Sequence, residues 1–367
     1  MKIFIVAGEP SGDIHAAKLM NKLKSINPNI KFFGIGGKNM EQEGLKSIIP
    51  IEKISVVGFI EVIKRIKLFL YLEKQCQKIM LNENVDCFIP IDYPGFNFKI
   101  AKFAKQNNIP VFYYIAPQLW AWGKNRWKKL KNITTKLFVV FPFEEKYFLE
   151  KNIETKYIGH PLFQNPIFSE QSDNNRDSNL IAFFSGSRNH EVTKNLNLFI
   201  ETAKIIHQSN PNLTFGFATS DNVNPKIFNV LENHNFKYQL FSNSYELMQK
   251  AIFGIVKVGT STLEAALLNM NMLVAYRTSF THYWIGKKII KLNYIALPNI
   301  LANKEIVPEY IQGLASPKIL ADAVLDFISN PEKCDKQKKE YANIRAILVD
   351  SKTDIAEEIL KDISKNK

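Results

Sequence analysis

Cysteine is scarce in this 367-residue chain. Cys76, Cys87 and Cys334 show neither CxxC nor CxxH spacing, which excludes a disulfide framework and a structural zinc site. The longest apolar runs, such as 3–7, fall far short of the ~18–20 residues a membrane span needs. The N-terminus enters a strand pattern directly, without the basic, apolar and small-residue order of a secretory signal, so a cytoplasmic protein is expected. His160 and His282 stand near motif-like sequence, but no HExxH or carboxylate pattern accompanies them, and no metal is expected. Phosphate loops of the GxGxxG and Gly-Lys-Ser/Thr kinds are missing too. Arginine is rare: Arg65, Arg126, Arg176, Arg188, Arg277 and Arg345 are the whole supply among 48 basic residues.

The remainder is ordinary globular composition, 46% hydrophobic and 23% charged. At about 150 residues per domain, two domains are expected. The charge is uneven. Residues 1–160 hold 25 basic and 14 acidic side chains, net +11, whereas the other 207 hold 23 and 21, net +2. A field concentrated on one half points to an anionic partner there: nucleic acid, anionic lipid or a phosphorylated substrate. A lysine-rich composition is the simpler source of the total.

Short β-rich runs at 2–7, 30–35, 87–91, 111–115, 137–141 and 156–158 alternate with helical patterns at 13–24, near Met40, around 58–80, and at 97–107 and 142–151. Alternation of this kind predicts βαβ units and a parallel sheet. At 164–179 hydrophobicity collapses into Asn, Asp and Ser, which reads as a linker. A second series follows, with strands at 180–184, 214–218, 238–240, 254–258 and 272–275. Helices are expected at 194–207, after Pro225, and at 244–250 and 262–268. Helical patterns at 318–329 and 355–363 close the chain. The expected fold is α/β, two Rossmann-like domains: 1–163, a linker 164–179, 180–340, and a C-terminal helical tail 341–367.

Four turns follow strands, where ligands bind in doubly wound sheets. Gly8-Glu9-Pro10-Ser11-Gly12-Asp13 offers glycines for close backbone approach, or a structural turn with Ser11 or Asp13 as helix cap. Asp92 ends the strand CFIPI, where a general base is wanted, or where an Asp anchors a turn. Gly186, Ser187 and Arg188 suit a diphosphate, since backbone N–H groups and a forked guanidinium match its oxygens; a solvated surface arginine is the bland reading. Gly259, Thr260 and Glu264 suit phosphate and ribose hydroxyls, or form a capping box. Two phosphate-friendly turns in one half favour a nucleotide-diphosphate donor.

Two stretches interleave bulky apolar and basic residues. Residues 54–70 hold Val57, Phe59, Ile60, Ile63, Ile66 and Phe69 beside Lys64, Arg65 and Lys67. Residues 119–131 hold Trp120, Trp122 and Trp127 among five basic residues. This is the composition of an interfacial membrane surface. Nucleic-acid stacking and plain helix packing are the rivals.

Together, AGEPSGD at 7–13, VGFIEV at 57–62, IDYPGFN at 91–97, APQLWAW at 116–122, IGHPL at 158–162, GSRNHEV at 186–192, GTSTLEAA at 259–266 and LPNILA at 297–302 resemble the lipid-A-disaccharide synthase family, colinearly over nearly the whole chain. The resemblance implies a glycosyltransferase-B fold, two Rossmann-like domains facing a cleft, with C-terminal helices packing back on the N-terminal domain and, in some members, a swapped homodimer. It implies an inverting reaction without metal or cofactor. UDP-2,3-diacylglucosamine and 2,3-diacylglucosamine 1-phosphate would give the β-1,6-linked lipid A disaccharide 1-phosphate and UDP. The enzyme would be peripheral on the inner face of the cytoplasmic membrane, on anionic phospholipid through 54–70, with no nucleic acid partner. Residue by residue, Asp92 matches the essential aspartate. Gly186, Ser187 and Arg188 match the pyrophosphate turn; Glu264, with Gly259 and Thr260, the ribose position; Asn299 a donor-site asparagine. Gly8, Glu9, Ser11, Gly12 and Asp13 match the loop facing the cleft. Ser185, Phe163-Gln164 and Lys257-Val258 depart from the usual pattern. A UDP-sugar 2-epimerase with a soluble substrate and a non-catalytic anionic-lipid or RNA binder are the alternatives.

Overall fold

The structure, a computed structural model, describes residues 1–54, 65–122, 126–169, 176–277, 292–349 and 353–365. The chain forms two compact units, Met1–Pro161 with Leu348–Lys367, and Leu162–Ile347. The first is built on β1 (Lys2–Ala7), β2 (Lys31–Gly36), β3 (Leu45–Pro50), β4 (Cys87–Ile91), β5 (Phe112–Tyr114), β6 (Lys136–Val139) and β7 (Thr155–Tyr157). The second is built on β8 (Asp177–Phe184), β9 (Thr214–Ala218), β10 (Tyr238–Phe241), β11 (Ala251–Lys257), β12 (Asn271–Tyr276) and β13 (Glu309–Ile311). Their orders are β3-β2-β1-β4-β5-β6-β7 and β10-β9-β8-β11-β12-β13, and the paired strands run parallel. In each sheet the strand order reverses beside the first strand, between β1 and β4 and between β8 and β11. Crossover helices diverge there and leave a crevice at the carboxyl ends.

The central strands are apolar on both faces because helices cover both sides. Ile3 to Ala7 have no exposed surface, nor do Cys87, Phe88 and Ile89. Pro90 is an exception to strand chemistry inside β4. It has no N–H to give, and parallel contacts are made on either side of it, Phe88 with Val111 just before β5 and Ile91 with Tyr114 in β5.

Several elements differ from the sequence reading. The segment after Pro225 is a 3-10 helix, Pro225–Asn233. The helix expected around 58–80 is seen as Ile66–Asn82, and 55–64 lie outside the described residues. β3 and β13 carry weak apolar patterns and have no counterpart in the sequence reading, while the helix Pro331–Val349 begins ten residues before the expected helical tail 341–367. The polar stretch 164–179 is partly built structure. Phe168 is fully buried and meets Tyr245 edge-on at 5.2 Å, Arg176 donates to the carbonyls of Met248, Ala251 and Leu268, and β8 starts at Asp177.

Helix Pro331–Val349 lies with the second unit to Ile347, and the chain rejoins the first unit from Leu348. Helix Ile355–Lys365 then places Ile355, Ala356, Ile359 and Ile363, one face at helical spacing, in the first unit's core. The Tyr157 hydroxyl donates to the Leu348 carbonyl at 2.6 Å. Lys136, 8% exposed, donates to Glu358 at 3.0 Å and lies 2.5 Å from Asp362. Lys136→Met leaves those carboxylates facing an apolar side chain and should cost about 1–3 kcal/mol. Urea unfolding checks this, and an unchanged midpoint would mean that apolar packing alone holds the helix.

Candidate active site

β1 and β4 deliver two short loops to the same edge of the first sheet. Asp92 (φ 41°) and Tyr93 (φ 48°) adopt the left-handed conformation, and Ile115 beyond β5 does too (φ 54°). Each costs about 1–3 kcal/mol, a kind of strain that gathers at functional sites. The conformation is held through the Asp92 carbonyl, which accepts from Asn97 Nδ2 at 2.8 Å and from the Tyr113 hydroxyl at 2.7 Å. Tyr93 lies over Gly8, where a Cβ would sit 2.2 Å from the ring, and its hydroxyl donates to the Ile54 carbonyl at 2.8 Å. Gly8 is therefore a close-approach glycine.

With its backbone so fixed, the Asp92 carboxylate remains open to solvent at a crowded sheet edge. Surrounding protein disfavours its charge, Glu9 across the loop adds to this, and the Tyr93 N–H partly opposes them. The result is a carboxyl pushed up to about 6. A cavity of about 320 Å³ opens beside it, lined by Pro94, Ile115, Ala116, Pro117, Gln118 and Val140.

The rest of the 7–13 loop divides. Ser11 is exposed, and Gly12 packs closely on Ala7 and Ile91. Asp13 is 4% exposed and occupied: it accepts from the N–H groups of Gly37 at 2.8 Å, Asn39 at 3.2 Å and Met40 at 3.1 Å, and from Asn39 Nδ2 at 2.7 Å. It fastens the β2 turn, leaving no acceptor turned toward a ligand. His15 lies one turn beyond Ser11. Burial holds His15 and His160 down to about 4, with Lys18 adding to the effect on His15 and His15 to that on His160. Both are neutral imidazoles at neutral pH.

Part of the proposed membrane surface is corrected. Trp120 is buried, donating Nε1 to Glu144 at 2.7 Å, while Glu144 also accepts from the N–H groups of Val140 and Phe141. Phe69 leans inward against Phe96 at 6.0 Å. Ile66, 52% exposed, and Leu70 share one open helix face. Val57, Phe59, Ile60 and Ile63 lie outside the described residues, as does His282. No described helix is long and apolar enough to cross a membrane.

In the second unit, β8 ends at Phe184, and Gly186 (φ +121°), Ser187 and Arg188 lead into helix Asn189–Ser209. Half-exposed Arg188 stands 3.5 Å from Glu191, whose carboxylate also accepts the Ser187 N–H at 3.3 Å. β11 leads through Gly259 into helix Thr260–Leu267, whose N-terminus has no side-chain cap; Gly259 and Thr260 are exposed. Glu264 makes no capping box. It accepts from the Tyr245 hydroxyl at 3.2 Å, and burial raises its carboxyl against hydrogen bonds from Tyr245 and Ser261. Tyr245 was invisible in the sequence because nothing near Glu264 in the chain announces it. Asn299 is fully buried, donating to Val307 O and Glu309 and accepting from the N–H groups of Ile306 and Val307. Its amide thus braces that turn.

Solved structures share this architecture. UDP-GlcNAc 2-epimerase from Neisseria meningitidis aligns over 100% of both chains with a TM-score of 0.62 and 14% identity. MurG from Acinetobacter baumannii aligns over 99% of both with 0.57 and 13%. The family model described as lipid-A-disaccharide synthetase matches residues 3–363. Lipid-A-disaccharide synthase 1 of Legionella pneumophila (strain Paris) is 33% identical over 363 residues, 96% of this chain and 94% of that one. The lipid-A-disaccharide synthase of a Sulfurihydrogenibium species is 35% identical, covering 95% and 94%. Fold, paired switch-point sites and relatives together define a glycosyltransferase with two Rossmann-like domains. Within that class the chain belongs to the lipid-A-disaccharide synthase family, and its role is in lipid A biosynthesis.

Asp13→Ala should lower stability by at least about 2 kcal/mol, because buried N–H groups lose their acceptor. Urea unfolding decides: native stability with lost activity would return Asp13 to the substrate side.

Proposed function

We propose that the chain transfers 2,3-diacylglucosamine from its UDP donor to the 6-hydroxyl of 2,3-diacylglucosamine 1-phosphate, with inversion, forming a β-1,6 bond and releasing UDP. The observation that carries this reading is Asp92: an accessible carboxylate on a locked backbone, with a proton affinity close to that of a general base for neutral pH. Asp92 takes the acceptor hydroxyl proton as its oxygen attacks the anomeric carbon, and the bond to the diphosphate oxygen breaks on the opposite face. The second unit holds the leaving group. Gly186, Ser187 and Arg188 meet the diphosphate, Gly259 and Thr260 open a helix N-terminus toward it, and Glu264, set by Tyr245, accepts from ribose hydroxyls. Guanidinium and N–H charge at the leaving oxygens removes the need for a divalent ion.

Glu9 and Ser11, on the Gly8 loop beside Asp92, belong to the acceptor side of this reading. Ile66 and Leu70, next to Arg65 and Lys67 in a half of net +11, support docking on anionic phospholipid at the inner face of the cytoplasmic membrane.

UDP release in detergent with EDTA should require both lipid substrates. Release from the donor alone, or none without added Mg²⁺, would overturn the transfer reaction or its metal independence. Asp92→Asn should lower kcat by about 10²-fold or more while UDP binding survives; full activity would remove Asp92 as base. In the wild type, kcat/KM should fall below pH of about 6, as the base becomes protonated. Glu9→Gln should move that limb to lower pH, because a like charge leaves Asp92. An unmoved limb would assign it to another group.

A further inference from the structure

Lys257, the last residue of β11, belongs to neither phosphate turn by sequence, yet its side chain crosses to the β8 turn. Its ammonium lies 2.8 Å from Glu191 Oε1, with Lys257 17% and Glu191 13% exposed. Glu191 Oε2 accepts the Ser187 N–H at 3.3 Å, and Arg188 stands 3.5 Å from Oε1. The donors of the turn therefore converge on one internal carboxylate.

Gly186 shows how closely they converge. A Cβ there would lie 2.6 Å from Glu191 Oε2 and 3.4 Å from Lys257 Cδ. Burial alone would raise the Glu191 carboxyl; Lys257, the Ser187 N–H and Arg188 outweigh it and hold the group below its usual range. Lys257 and Arg188 together exceed Glu191 by one positive charge, and Lys257 lies two residues before the exposed Gly259.

We propose that Lys257 is a diphosphate-binding residue of the donor site, paired with Glu191 until a nucleotide arrives and then transferred to a phosphate oxygen. The inference rests on the reading that the second unit binds the UDP moiety. A lysine suits the exchange, since a flexible stem and freely rotating donors let one ammonium change acceptors without moving the backbone. Its charge is already partly desolvated in the pair, so taking a phosphate partner adds little further desolvation. Glu191 in turn competes with the ligand and, in the unliganded turn, offsets the repulsion between Lys257 and Arg188.

The test is titration of UDP by calorimetry and of uridine by NMR, on the full chain with Lys257→Gln, Lys257→Arg or Glu191→Gln. Lys257→Gln should weaken UDP about 10-fold and leave uridine unchanged, because only UDP carries the oxygens that the ammonium meets. Lys257→Arg keeps the charge and should recover most of the loss. Glu191→Gln removes the competitor and should tighten UDP. Wild-type UDP affinity in Lys257→Gln, or equal weakening of UDP and uridine, would make the pair purely structural and overturn the inference. A wild-type protein that binds no UDP would overturn the donor reading itself.

Discussion

One backbone oxygen, the Asp92 carbonyl, fixes the chemistry of the first sheet's edge. Asn97 and Tyr113 both donate to it, and both are fully buried, so neither donor has an alternative partner in water. Each bond contributes about 0.5–1.5 kcal/mol net, comparable to the strain of a left-handed aspartate. Losing either donor would therefore not merely loosen a turn. It would let Asp92 relax to an ordinary conformation and swing its carboxylate away from Glu9 and from the cavity. Tyr113 is itself constrained: burial, then the Asp92 charge, push its phenol well above its usual value and keep it a donor at any physiological pH.

The two units solve the same topological problem differently. At the β8 and β11 turns, glycine supplies the unusual backbone, and Gly186 with φ +121° bears no side chain to be placed. At the β4 turn the unusual conformation is imposed on Asp92 and Tyr93, whose side chains then do separate work. A turn that only presents N–H groups to an anion can be all backbone. A turn that must present a proton acceptor needs a side chain, and the fold meets the strain with buried hydrogen bonds.

How much was legible follows from the same distinction. β1, β4 and β9 could be read to the residue because strands buried on both faces are unbroken apolar runs. The start of the helix Pro331–Val349 was not legible because its apolar contacts reduce to residues such as Tyr341, Ile344 and Leu348 among many charges. Phe168 was lost in a polar stretch, since a single aromatic carries no period. The turns themselves were legible. What their side chains do was legible only in part, because Asp13, Asn299 and Trp120 are claimed by partners distant in the chain or hidden in another turn. A motif marks where ligand-facing residues congregate, but the residues that hold the motif in shape sit in the same string of letters. Tyr245 shows the converse, a side chain bonded to a candidate site residue with no motif around it.

Charge separates the two kinds of residue better than position does. Asp13 is surrounded by N–H donors that occupy its carboxylate oxygens at short range. Asp92 has the opposite surroundings, with Glu9 for a neighbour and little hydrogen bonding to its carboxylate, and so its proton affinity rises. Unsatisfied negative charge beside a cavity invites a proton, and that proton is what an attacking hydroxyl must lose. In the second unit the sign reverses. At the β8 turn two cations, Lys257 and Arg188, stand against the one carboxylate of Glu191, which on the proposed reading suits phosphate. The proposed transfer calls on both features, a proton acceptor and a group of anion-binding donors. Each is built at the edge of a parallel sheet, where strand order reverses and side chains are not consumed by packing.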